Sequence, residues 1–170
     1  MIIPLPMELS AGESGAEPVE IEADFDMLFR REYPSVARLA FLLLGRTGEA
    51  EEVTQEAFVT LLTRWDQVGN PSGFVRTAVV NRCRDIARRR VVRDRVVRRL
   101  RPGDQDASEA EYLVDVLQHL PVQLRSVIVL RFYLGHTVPE IASILDVPEG
   151  TVKSRLHRAL EDLRRRLEPG

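Results

Sequence analysis

Apolar residues recur along this chain at intervals of three and four, and no alternating run is bounded by turns on both sides. The pattern therefore predicts helices and no strand. In "FDMLFRREYPSVARLAFLLLG", Phe25, Leu28, Phe29, Val36, Leu39, Ala40 and Leu43 fall at helical spacing, and Pro34 predicts a kink or break. "EAEEVTQEAFVTLLTRW" puts Val53, Ala57, Leu61 and Trp65 on one stripe and Glu52, Gln55, Glu56 and Thr60 on another face. Thr47 is placed to cap this helix, and Glu49, Glu51 and Glu52 in the first turn suit its positive end. "DQVGNPSG" reads as a loop, with Gly69, Asn70, Pro71 and Gly73 as breakers. Beyond it, Phe74, Ala78, Val79, Cys83 and Ile86 form the apolar side of a third long helix.

Pro102 and Gly103 stop any preceding helix, and an acidic connector, "PGDQDASEAEY", follows. The segment "VPEIASILDVPEGTVKSRLHRALEDLRRRL" then reads as helix, short turn, helix. Ile141, Ala142, Ile144, Leu145 and Val147 face inward. Asp146 sits at the turn, where a left-handed residue is often needed, and Pro148 suits the first position of the second helix. Val152, Leu156, Leu160 and Leu163 form that helix's inner stripe; Lys153, Ser154, His157 and Arg158 form its outer one. The expected fold is all-α, with two small helical domains joined by a flexible linker. The expected divisions are a disordered acidic tail over 1–23, a first domain over 24–100, a linker over 101–112 and a second domain over 113–170. The length of 170 residues and the 44% hydrophobic content support cores of this size.

Charge sharpens the picture. The net charge is −2, yet residues 76–101 hold eleven arginines against two acids, Asp85 and Asp94. A single-sign block of this size repels itself unless a polyanion lies nearby, which points to nucleic acid. The outer Lys/Ser/His/Arg face of the last helix suits the DNA major groove. A solvated face on a small bundle remains the other reading of that helix taken alone. No apolar run is long enough to span a membrane, and the N-terminus lacks a signal-peptide pattern, so a cytoplasmic location is expected. The one cysteine, Cys83, does not sit at ligand spacing with His119, His136 or His157, so no metal is expected. No Ser/His/Asp set and no phosphate-cradling glycine loop suggests an enzyme or a cofactor.

Three stretches resemble the extracytoplasmic-function (ECF) sigma factors, of the sigma-70 family of bacterial RNA polymerase initiation subunits. "EAEEVTQEAFVTLLTRW" is similar to the polymerase-binding helix of their region 2. "NPSGFVRTAVVNRCRDIARRR" is similar to the part of that region that opens the duplex and reads the minus-10 element. "LQHLPVQLRSVIVLRFYLGHTVPEIASILDVPEGTVKSRLHRALEDLRRRL" is similar to region 4, and "EGTVKSRLHRA" is its most specific piece. The resemblance implies that Glu52, Gln55 and Glu56 contact the β′ clamp helices of core RNA polymerase, with the β subunit as a further partner. It implies that Asn81 takes a flipped minus-10 base, with Arg76, Arg82, Arg84, Arg88 and Arg89 beside the DNA and the loop Asp66–Ser72 completing the pocket. Phe74 stands where many members have tryptophan, which leaves a thin strand-separating aromatic surface. Lys153, Ser154, Arg155, His157 and Arg158 would read the minus-35 element as duplex. An anti-sigma factor, which holds many members inactive, is the remaining partner class that the resemblance raises. Two other readings of the residues are a stand-alone helix-turn-helix repressor or activator and an adaptor whose basic helix binds an acidic protein.

Overall fold

A computed structural model describes the backbone of residues 18–94 and 109–167 and the side chains of 24–90 and 112–167. Every described element is helical. The first domain holds α1 (Pro18–Leu44), α2 (Thr47–Leu62) and α3 (Pro71–Asp94), with a 3₁₀ turn at Trp65–Gln67. The second holds α4 (Glu109–Gln118), α5 (Val122–Ile128), α6 (Val138–Leu145) and α7 (Glu149–Leu167). A π-helical turn, Val129–Tyr133, extends α5. α1 begins at Pro18, inside the stretch read as a tail, and α4 begins at Glu109, inside the stretch read as linker. Residues 1–17 and 95–108, which hold the rest of the expected tail and linker, lie outside the described residues.

The apolar stripes meet as expected in the first domain. Leu39, Leu43, Phe58, Leu61, Val75, Val79, Val80 and Cys83 are fully buried between the three helices. Rings extend this core at one end: Phe29 packs edge-on to Phe58 at 4.9 Å between centroids, and Phe25 does the same to Trp65 at 5.6 Å. Such pairs add roughly 0.5–1.5 kcal/mol beyond their buried area.

Three local expectations need correction. α1 runs unbroken through Pro34. Pro34 is exposed, and the flanks it joins, Leu28 and Val36–Leu43, dock on the same core, so tertiary packing overrides the local break. Thr47 does not cap α2 but is its first residue, and Arg46, with extended backbone, takes the cap position without a side-chain bond. The cause is Gly45, whose φ of 71° turns the chain and starts α2 one residue early. In α7, Leu160 is 47% exposed, while Ala159 is fully buried in its place. At about 100° per residue, Ala159 lies within about 20° of Val152 and Leu160 about 80° away.

The two domains pack together. The last carbonyls of any helix lack helical partners. In α1, that of Leu42 accepts from Gln118 Nε2 at 3.1 Å and that of Leu44 from Arg90 Nη1 at 3.1 Å. That of Leu43 accepts from Arg125 Nη1. Two of these three donors come from the second domain. Arg125 is buried, and its other donors reach Leu117 O at 2.8 Å, Leu120 O at 2.9 Å and Gln118 O at 3.0 Å. One side chain thus closes the end of α4 and ties it to α1.

Candidate nucleic-acid and polymerase interfaces

α3 starts where its sequence can satisfy a helix N-terminus. Asn70 Oδ1 accepts from Gly73 N–H at 3.0 Å, and Pro71, which has no N–H to lose, opens the helix. The expected loop therefore ends at Asn70, and Pro71 and Ser72 belong to α3. The loop and the first three turns of α3 wall a cavity of about 950 Å³. Arg64, Gln67, Asn70, Ser72, Arg76 and Asn81 line one side of it, and α6, through Glu140, Ser143 and Ile144, closes another with His136 just before it.

The six candidate minus-10 residues separate into three settings. Asn81 is exposed and, with Arg76, lines the cavity. Arg76 is not free there: its Nη2 pairs with Glu32 Oε2 at 2.6 Å. Arg82, Arg88 and Arg89 are exposed on the outer face of α3. Arg82 pairs with Glu56 at 3.1 Å, and Arg88 lies 3.8 Å from Asp85. Arg84 is buried, donating to Asn81 Oδ1 at 3.4 Å and to Leu145 O, at the end of α6, at 3.3 Å. Burial lowers its pKa, and the charges of Arg88 and Arg155 lower it further against the opposing pull of Asp85. Burial likewise pushes the Cys83 thiol up to about 12, although Arg125 and Arg82 pull it down in part.

On α2, Glu52, Gln55 and Glu56 are all exposed on one face, and Val59 and Leu62 continue that stripe at 62% and 48% exposure. The arrangement is an acidic patch with an apolar end. On α7, Lys153, Ser154, His157 and Arg158 are exposed as a group. Ser154 Oγ donates to Thr151 O at 3.0 Å, and His157 Nε2 lies 3.4 Å from Glu161. Arg155 is half-buried on the side towards the first domain, apart from the other four.

The helix-turn-helix that presents this face is tightly specified. Thr137 caps α6 by a reciprocal box with Glu140, whose carboxyl falls below its usual range because Thr137 N–H and hydroxyl donate to it. Asp146 occupies the left-handed region at φ 51°, ψ 57°, as the turn requires. Pro148 precedes α7 instead of opening it, and its carbonyl accepts from Thr151 and Val152 N–H.

Two residues of consequence escaped the sequence reading, Glu32 and Arg125. Both left a visible signal. Glu32 is a lone acid on the Leu28–Glu32–Val36 stripe of α1, and Arg125 is a lone cation in "LPVQLRSVIVL". A charge on an apolar stripe is buried with partners or not buried at all.

Among the described residues no group of histidine, cysteine and acids could hold a metal ion, and no helix is long and apolar enough to cross a membrane. Residues 28–93 match the family model "Sigma-70 region 2", and residues 110–163 match "Sigma-70, region 4". The chain is 30% identical over 153 residues to an RNA polymerase sigma-E factor of Streptomyces avermitilis, covering 85% of this chain and 86% of that protein. It is 32% identical over 152 residues to the ECF RNA polymerase sigma factor SigM of Mycobacterium tuberculosis, covering 84% and 76%. The fold is similar to that of the sigma factor RpoE of Bartonella quintana, solved in complex with the anti-sigma factor NepR. The TM-score there is 0.68 at 20% identity, over 86% of this chain and 99% of that one. The chain therefore belongs to the ECF sigma factors of the sigma-70 family, non-catalytic subunits that bind core RNA polymerase and DNA and direct transcription initiation.

Proposed function

We propose that the first domain, residues 24–100 as divided above, reads the minus-10 element as single-stranded DNA, and that the second, residues 113–170, reads the minus-35 element as duplex. The observation that carries this reading is the cavity beside Asn81. The wall that the loop and α3 give it, from Gln67 to Asn81, belongs to the first domain alone and is long enough to receive one unstacked base. An asparagine at its wall offers donors and an acceptor to a base edge that is covered while the base is paired. Arg82, Arg88 and Arg89 lie outside the cavity on the exposed face of the same helix, placed for backbone phosphates. α7 supplies the second contact through Lys153, Ser154, His157 and Arg158, with cations of the length needed for guanine edges or phosphates. The exposed Glu52–Gln55–Glu56 face, extended by Val59 and Leu62, supports docking on basic clamp helices of the β′ subunit. The protein would act in the cytoplasm, where polymerase and chromosome meet. An anti-sigma factor is a further expected partner, in keeping with the complex in which the Bartonella protein was solved.

The test is Asn81→Ala in holoenzyme on pre-opened promoter bubbles. Base preference at one minus-10 position should fall about 5- to 150-fold, the equivalent of one good base contact, with core binding and minus-35 duplex binding unchanged. Unaltered preference at every position on such bubbles would remove Asn81 from the pocket.

A further inference from the structure

Glu32 carries a buried charge that the proposed function leaves unused. It lies midway along α1 and is only 6% exposed. One carboxylate oxygen, Oε2, accepts from Arg76 Nη2 at 2.6 Å. The other, Oε1, accepts from Ser72 Oγ at 3.2 Å and from Arg31 Nε at 3.1 Å. Arg31 Nη2 also donates to the Ser72 hydroxyl at 3.3 Å, so the cluster closes on itself. Ser72 and Arg76 both line the cavity beside Asn81, about two and a half turns and about one and a half turns before it on α3.

The docking of α1 on α3 does not need this cluster. Leu28, Val36, Leu39, Val75 and Val79 already bury an apolar seam between the two helices. A buried ion pair adds little net stability over an apolar contact, and its best-attested use is to fix geometry. Here it fixes two pocket-lining side chains and neutralises Arg76, the arginine of the pocket wall that lies nearest Asn81 along α3; the other, Arg64, lies before the loop. Without Glu32 the Arg76 guanidinium would keep its charge and lose its anchor. It could then swing into a cavity proposed to take a neutral base, where it would attract any phosphate.

We propose that Glu32 is a positioning residue of the minus-10 pocket: it holds Ser72 and Arg76 back against α1, so that Asn81 selects the base that enters. This rests on the reading that the cavity is that pocket. Burial alone would raise the Glu32 carboxyl, but Arg76, with Arg31 and Ser72, outweighs burial and keeps it below the usual carboxylate range. The carboxylate is therefore ionised wherever the protein works.

The experiment uses full-length chain assembled with bacterial core polymerase. The probe is a pool of pre-opened bubbles with a randomised non-template minus-10 segment, and the retained fraction is sequenced. Glu32→Gln should flatten base preference about tenfold, within the range that one base contact supplies. It should also steepen the salt dependence by about 0.7 in log–log slope, because a freed Arg76 takes one single-strand phosphate. A purely structural tie would change neither at a temperature where the variant is folded. Asn81→Ala runs in parallel. If it flattens preference while Glu32→Gln leaves both preference and slope unchanged, the pocket stands and the role of Glu32 is overturned. If Asn81→Ala keeps wild-type preference, the pocket reading falls and this proposal falls with it. Should Glu32→Gln fail to fold, Glu32→Asp keeps the charge but shortens the reach. It must then lose preference without a change of slope, and wild-type preference in it would overturn the proposal.

Discussion

The contact between the two domains is open to a direct measurement at Gly45. Its φ of 71° is the left-handed conformation that ends α1, and Gly45 N–H donates to Phe41 O at 2.7 Å. An alanine forced into that conformation costs about 1–2 kcal/mol. Its Cβ would also lie 2.7 Å from Cδ and 2.8 Å from Cγ of Gln118, on the second domain. Both are far closer than carbon atoms approach, so Gln118 must move. Moving it forfeits the bond from Gln118 Nε2 to Leu42 O and leaves that carbonyl exposed to competition, about 1 kcal/mol more. Gly45→Ala should therefore destabilise the chain by about 2–3 kcal/mol, read from urea titrations followed by far-ultraviolet circular dichroism. Gln118→Ala alone should cost about 1–2 kcal/mol, since it removes that bond and one of the two acceptors of Arg125 Nη1. In the double variant the φ strain remains but the clash is gone, because the atoms that caused it are absent. The double loss should fall short of the sum by about 1 kcal/mol. Additivity within about 0.3 kcal/mol would show that Gly45 and Gln118 do not touch in the free chain, and so that α4 does not dock on the end of α1.

Two further outcomes follow from buried charge. Arg125→Met keeps most of the volume but leaves the carbonyls of Leu43, Leu117, Gln118 and Leu120 without their donor, so thermal unfolding should show a loss of about 3–5 kcal/mol, and a loss under about 1 kcal/mol would mean that water already serves those groups. Glu32 has a folded-state pKa below its unfolded one, so its contribution is complete above the unfolded value and disappears as pH falls through the folded value; the stability gap between wild type and Glu32→Gln should therefore narrow between neutral pH and about pH 3, and a gap that stays constant on acidification would contradict the cluster.

The pattern of apolar positions was enough for the helices, because each stripe buries against another stripe of the same period. It was also enough for the helix-turn-helix, where Asp146, the small Ala142 and the spacing of Ile141, Leu145 and Val152 act locally. Apart from one-residue shifts at Thr47, Pro148 and Leu160, what it missed is non-local. Pro34 breaks a helix only if nothing holds its flanks, and nothing in the neighbouring residues tells that both flanks dock on one core. The arginines of α3 look alike as a string, yet each takes its role from a different neighbour: Arg76 from Glu32 on α1, Arg84 from Leu145 on α6, Arg90 from the end of α1. The separation of Arg82, Arg88 and Arg89, on the solvent face, from Arg84 on the buried one follows from helical phase and could have been read in advance. The partners could not.

Arg84 shows how the packed form and the proposed function fit together. The centres of a minus-10 and a minus-35 element are about 25 base pairs apart, or about 85 Å at about 3.4 Å per pair. In the packed form the two readers touch: Arg84 Nη1 is 3.3 Å from Leu145 O, and α6 walls the cavity beside Asn81. On the proposed division of labour one chain cannot read both elements in that arrangement, so promoter binding would require the domains to separate. Separation takes the Leu145 carbonyl away from Arg84 and removes the α6 wall from the cavity. Arg84 then keeps only Asn81 as a partner, and its Nε, which is buried without one, gains access to solvent. On that reading the same motion that opens the proposed pocket would turn a structural arginine into a cation at its rim. Single-stranded DNA would be attracted by that charge only after the second domain has left, which would make the proposed minus-10 reading and domain separation one coupled event.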